Sequence, residues 1–150
     1  MRLPVFLLIL FVATDFGLRV GSASGAEIEL SNAWLRATIG QSNVTAGYVV
    51  IENKGTGEDR LLSVHTTVAA KTEMHQTSTG EGGIMRMRPV SNLSIPVGQA
   101  VAFRSGGDHL MLSGIATPLK AGDFIDLTLS FEVAGDLLVT AKVSRRNPYP

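Results

Sequence analysis

Residues 71–113 read KTEMHQTSTGEGGIMRMRPVSNLSIPVGQAVAFRSGGDHLMLS, and the punctuation of this stretch decides the fold. Short runs at 71–75, 84–88, 99–104 and 109–113 are apolar or alternating. Between them stand TSTGEGG, SIPVGQ and RSGGD, clusters of turn-forming residues. Each run has the length of a strand, and none shows sustained helical periodicity with caps, so the stretch predicts consecutive β-strands. Working outward, the same pattern recurs at 28–39, 47–52, 61–68, 124–133 and 137–143, separated by GQSN, NKGTGED, TPLKAGD and AGD. Residues 64–75 hold the best helical candidate and are equally readable as two strands. Many short strands at regular spacing predict an all-β protein built as an antiparallel two-sheet sandwich.

The same stretch gathers the soft donor atoms of the chain. Met74, Met85, Met87 and Met111, which are all the methionines except the initiator, lie inside it with His75 and His109, and there is no cysteine anywhere. Thioether and imidazole without thiolate or clustered carboxylate suit copper, above all Cu(I), because soft sulfur favours soft ions while hard oxygen favours magnesium, calcium or manganese. At strand period two, His109 and Met111 share a face, with Leu110 and Leu112 on the other. Such residues lie roughly 7 Å apart at Cα, near enough for both side chains to lean onto one ion held about 2.0–2.3 Å from each donor. Met85 and Met87 repeat the arrangement, with Arg86 and Arg88 opposite. A hairpin turning at residues 77–83 brings His75 beside this methionine pair.

Written with its spacing, the segment is His75-Gln76, ten residues, Met87, twenty-one residues, His109, one residue, Met111. This resembles the H(M)-x10-M-x21-H-x-M signature of the periplasmic PCuAC-type copper chaperones. GIMRMRPV at 83–90, LSIPVGQAVAFRSGGDHLML at 93–112 and IELSNAWLRAT at 28–38 also look like segments of that family, so the resemblance covers most of residues 27–144. Gln76 stands where the fuller motif has a methionine, which removes a spare donor and leaves the four-ligand set intact. The closing SRRNPYP lacks the His- and Met-rich tail of some relatives and gives no support for a second metal site.

The resemblance implies a cupredoxin-like Greek-key sandwich that holds one Cu(I) per chain through His75, Met87, His109 and Met111. It further implies delivery of that ion in the bacterial periplasm to a copper acceptor. The dinuclear copper centre of cytochrome c oxidase is the usual destination, with a thioredoxin-like assembly factor as a further partner. Met85 shares a face with Met87 and is either an auxiliary donor or a packing side chain, the packing role fitting better. Met74 points away from His75, toward a core. His65 lies outside the motif and reads as a surface histidine, and Trp34 reads as a large core anchor.

Arg2, the unbroken apolar run over residues 4–13 and the small residues Ser24, Gly25 and Ala26 predict an export signal over residues 1–26. The run is shorter than the roughly 20 residues a membrane-spanning helix needs, so no stable span is expected once the leader is removed. Residues 27–150 then form a single copper-binding domain. Taking away Arg2, Arg19 and Asp15 leaves eleven basic and twelve acidic residues, a net charge of −1. That balance carries no electrostatic footprint for nucleic acid. Without cysteine the domain has no disulfides, and it cannot be a blue-copper electron carrier, whose site needs a thiolate. No nucleophile-base constellation is present; Asp108 beside His109 is too thin a pairing for one, so the chain is not read as an enzyme. Three readings stay open: a copper carrier, a periplasmic copper buffer or tolerance protein without specific delivery, and an interaction module whose Met/His cluster is incidental. A monomer needs no special assumption.

Overall fold

Alternation of apolar and polar residues sets the architecture. The computed structural model describes residues 25–150, so the expected export signal lies, as far as residue 24, outside the described residues. Ten strands follow one another: β1 (Ile28–Arg36), β2 (Val44–Asn53), β3 (Asp59–His65), β4 (Lys71–Thr79), β5 (Met85–Val90), β6 (Leu93–Ile95), β7 (Ala100–Ala102), β8 (His109–Ser113), β9 (Phe124–Phe131) and β10 (Gly135–Ser144). A single 3₁₀ turn, Glu81–Gly83, joins β4 to β5. Among the described residues no helix is long and apolar enough to cross a membrane.

The strands run in the order β5-β4-β8-β2-β1-β10-β9-β3-β6, with β7 pairing a second stretch of β2. This path folds back on itself, so that β3 lies against β4 and β6 against β2. The two inner faces enclose one core, in which Leu35, Val49, Ile51, Leu110, Leu127 and Leu129 are fully buried. Period two explains the choice. In β8 Leu110 and Leu112 point in, while His109, Met111 and Ser113 point out. In β9 Leu127, Leu129 and Phe131 do the same.

The all-β sandwich forms as expected, and one of its pairings is parallel. β1 and β10 pair in parallel, with Trp34 opposite Lys142 and Arg36 opposite Ser144. The first and last strands run side by side in the same direction, which joins the two halves of the sheet. Trp34 is a buried anchor as expected, on a different face from the main core. It projects to the face opposite Leu35, outside the main core cluster, and stacks on Tyr48 with ring centroids 4.4 Å apart.

The order of strands places β5 at one edge of the sheet. Its residues are exposed up to Pro89, and Arg86 and Arg88 sit on it. A proline, which lacks an N–H, and two charged side chains are tolerated there and blunt the edge against further pairing.

Candidate metal centre

Three adjacent strands, β5, β4 and β8, position the expected ligands. Residues directly opposite in an antiparallel pair project to the same side. On β8, His109 faces His75 and Met111 faces Glu73; on β5, Met87 faces Thr77 and Met85 faces Thr79. These eight residues therefore share the outer face of the sheet. Met74, Leu110 and Leu112 fill the core behind them. The register brings together His75, Met87, His109 and Met111 on one surface. Within it His75 is directly opposite Pro89, and Met87 stands one outward-facing step further along.

The two imidazoles form the centre of the arrangement. Their ring centroids lie 5.6 Å apart at an interplanar angle of 60°. His109 Nδ1 is 2.9 Å from the carbonyl oxygen of Gly107, and a carbonyl only accepts, so Nδ1 carries the proton and Nε2 keeps its lone pair free for a metal. Met87, His109 and Met111 line one cavity of about 350 Å³, walled on its far side by Arg36, Ile39 and Val44. His75 flanks this cavity without lining it, and its side chain is 15% exposed. Met87 is 61% exposed, which leaves one soft donor at the rim, open to solvent.

Among the described residues no group of three or more His, Cys, Asp or Glu side chains is arranged to hold a metal. The soft side chains that share the face of the two imidazoles are the thioethers of Met87 and Met111, a mixture of donor types that would suit Cu(I). Met85 is 54% exposed and lines a smaller adjoining cavity with Met87 and His109. It stands two register pairs, one outward-facing step, further from His75 than Met87 does. Met74 is buried in the core, and His65 is exposed on β3, in the other half of the sheet.

Sequence reading passed over three residues here, Glu73, Thr77 and Gly107. Glu73 stands two residues before His75, so the period-two rule applied to the donors also puts it on their face. Its Oε2 lies 3.9 Å from His75 Nε2, too far for a hydrogen bond. Lys71, 2.8 Å away, holds the Glu73 carboxyl below the usual carboxylate range, first through their hydrogen bond and then through its charge, with partial burial opposing. Thr77 follows from the same rule. Its N–H donates to Asp108 Oδ1 at 2.9 Å and its hydroxyl to the Gly107 carbonyl at 2.9 Å. Asp108 therefore braces a loop, and the His109 ring donates instead to the backbone carbonyl of Gly107.

A family model described as "Putative lipoprotein LpqE-like" matches residues 28–143. The curated protein "Putative lipoprotein Lxx21020" of Leifsonia xyli subsp. xyli is 32% identical over 104 residues, which is 69% of this chain. The matched region spans 61% of that relative's length. Among solved structures, the "Copper-bound PCuAC domain from PmoF2" is similar in fold, with a TM-score of 0.68 at 23% identity over 81% of this chain and 96% of that one. The "Solution structure of CuI-DR1885 from Deinococcus Radiodurans" gives a TM-score of 0.62 at 27% identity over 87% of this chain and 86% of that one.

Proposed function

The chain belongs to the LpqE-like family and has the fold of PCuAC domains, and from that premise we propose that it is an exported copper carrier that binds one Cu(I) through His75, Met87, His109 and Met111. One observation carries the ligand assignment: the strand register sets all four side chains on a single outer face, with the His75 and His109 rings directly opposite each other. Copper is the cargo. Two neutral imidazoles and two thioethers match a soft monovalent ion, and the solved neighbours are a copper-bound domain and a Cu(I) form.

Export is supported by the lipoprotein relatives and by the leader-like residues 1–26; our reading is a periplasmic carrier with residues 27–150 as its working domain. The acceptor we favour is a protein with reduced cysteines, of which the dinuclear copper site of cytochrome c oxidase, reached with a thioredoxin-like helper, is the leading case. No catalytic role is assigned. Asp108, the acid next to His109 in the sequence, is bonded to the backbone amide of Thr77 rather than to the His109 ring.

The test is an anaerobic titration of the purified protein against a chromophoric Cu(I) chelator. One Cu(I) per chain is expected. His109→Ala should weaken binding by about 100-fold, at or beyond the top of the range seen when residues supporting a metal ligand are lost, and His65→Ala should leave it unchanged. Equal affinity in the wild type and His109→Ala would remove the site.

A further inference from the structure

The strand pairing of β4 with β8 ends at His75 and His109. One outward-facing step beyond, in the same register, Thr77 would meet Gly107, and there side-chain bonds take over from the ladder. The Thr77 amide donates to Asp108 Oδ1 at 2.9 Å, and the Thr77 hydroxyl donates to the Gly107 carbonyl at 2.9 Å. That carbonyl also receives His109 Nδ1–H at 2.9 Å, so its two lone pairs serve the two side chains.

Gly107 needs such a strut. It follows Gly106, whose φ is +83°, and a glycine pair leaves the orientation of the intervening and following peptides poorly determined. The turn itself is closed by Arg104 N–H to Asp108 O at 2.7 Å and Gly107 N–H to Arg104 O at 3.0 Å. Neither of these bonds fixes where the Gly107 carbonyl points.

We propose that Thr77 is a positioning residue: by pinning the Gly107 carbonyl it holds His109 with its proton on Nδ1 and its Nε2 lone pair turned to the outer face, ready for the metal. The proposal rests on His109 being a ligand. It assigns to Thr77 no contact with the ion. A metal-binding histidine held through its other ring nitrogen keeps a single tautomer and orientation, and loss of such support typically weakens metal affinity about 10- to 100-fold.

The experiment reads the histidine before any metal is added. Ring ¹⁵N shifts of the metal-free protein should show His109 as a single tautomer protonated at Nδ1. Thr77→Val keeps the shape and removes the hydroxyl, so it should give a mixture of the two tautomers at His109 and a Cu(I) affinity about 10-fold weaker. Thr77→Ser restores the donor and should return both readouts to wild type. Unchanged His109 shifts in Thr77→Val would overturn the proposal. Should that variant fail to fold, Asp108→Ala, which removes the second strut, is expected to shift the same tautomer balance, and wild-type shifts there would overturn it equally. A wild-type protein that shows the fixed tautomer but takes up no Cu(I) would leave the clamp standing and overturn the carrier function instead.

Discussion

Met87 is the donor most open to solvent, and a thioether has no proton to lose, so its contribution is set by where its sulfur reaches. It faces Thr77, a small residue that lets the long side chain lean across β4 toward the imidazoles. Met85 faces Thr79, two register pairs further from His75. Met87→Ala should therefore weaken Cu(I) binding at least 10-fold, whereas Met85→Ala should change it by no more than about 2-fold, both by competition titration. Equal losses would show that the two methionines share the ion. That the four proposed donors share one face was legible in the sequence, because it follows from spacing and period two. The Gly107 carbonyl and the Thr77 hydroxyl were not, since both act through a loop whose path is fixed by hydrogen bonds between residues about thirty apart in the chain. Glu73 was within reach of the same rule that found His75, and it was missed because it was not a soft donor.

At the scale of the elements, β2 is the strand on which the sheet depends, since it pairs with β1, β7 and β8. Gly47 lies in it between Leu35 and Leu110, and a Cβ there would come within 2.7 Å of Leu35 Cδ2. Gly47→Ala should therefore destabilise the fold by about 1–3 kcal/mol through overpacking, read as a lower urea midpoint with an unchanged slope. A different device secures β3. Asp59 is buried and accepts from the amides of Arg60, Val133 and Ala134 at 2.7, 2.9 and 2.9 Å, tying the start of the strand to the β9–β10 turn. Asp59→Ala would leave three part-buried amides without a partner and should cost about 3 kcal/mol by the same unfolding assay. All nine strand segments expected from alternation form in the structure, with shifted ends, and residues 64–75 resolve as two strands. What escaped has physical reasons. β6 is only three residues long and is followed by Pro96, too short for any period to register. β4 runs on through Thr77, Ser78 and Thr79, since the turn needs only the 3₁₀ segment after them. The parallel pairing of β1 with β10 joins the two ends of the domain, and no local pattern encodes it.

For the whole molecule, the decisive property is that the core and the donors occupy opposite sides of one layer. Leu110 and Leu112 hold β8 to the interior while His109 and Met111, the alternate residues of the same strand, face out. Gain or loss of copper thus need not disturb the core. Near the donors several apolar side chains are exposed, with Ile39 on the cavity wall, Ile84 just before β5, and Met85 and Met87 along it. An acceptor can press against that surface and reach Met87 without the sandwich opening. Thiolate is a more favoured ligand for Cu(I) than thioether or neutral imidazole, so copper should run from this protein to a reduced cysteine site. Because the rim donor is accessible, an incoming thiolate can replace one ligand at a time within a joint complex, and exchange should be at least 10-fold faster than spontaneous release, about 1.4 kcal/mol in barrier. The measurement mixes the Cu(I)-loaded protein with a reduced, metal-free oxidase copper domain and follows copper in both, with and without a dialysis membrane between them. Rapid transfer only on contact marks a chaperone. Copper that stays put, or crosses the membrane as fast as it moves in the mixture, marks a buffer that stores the ion and hands it to no particular partner.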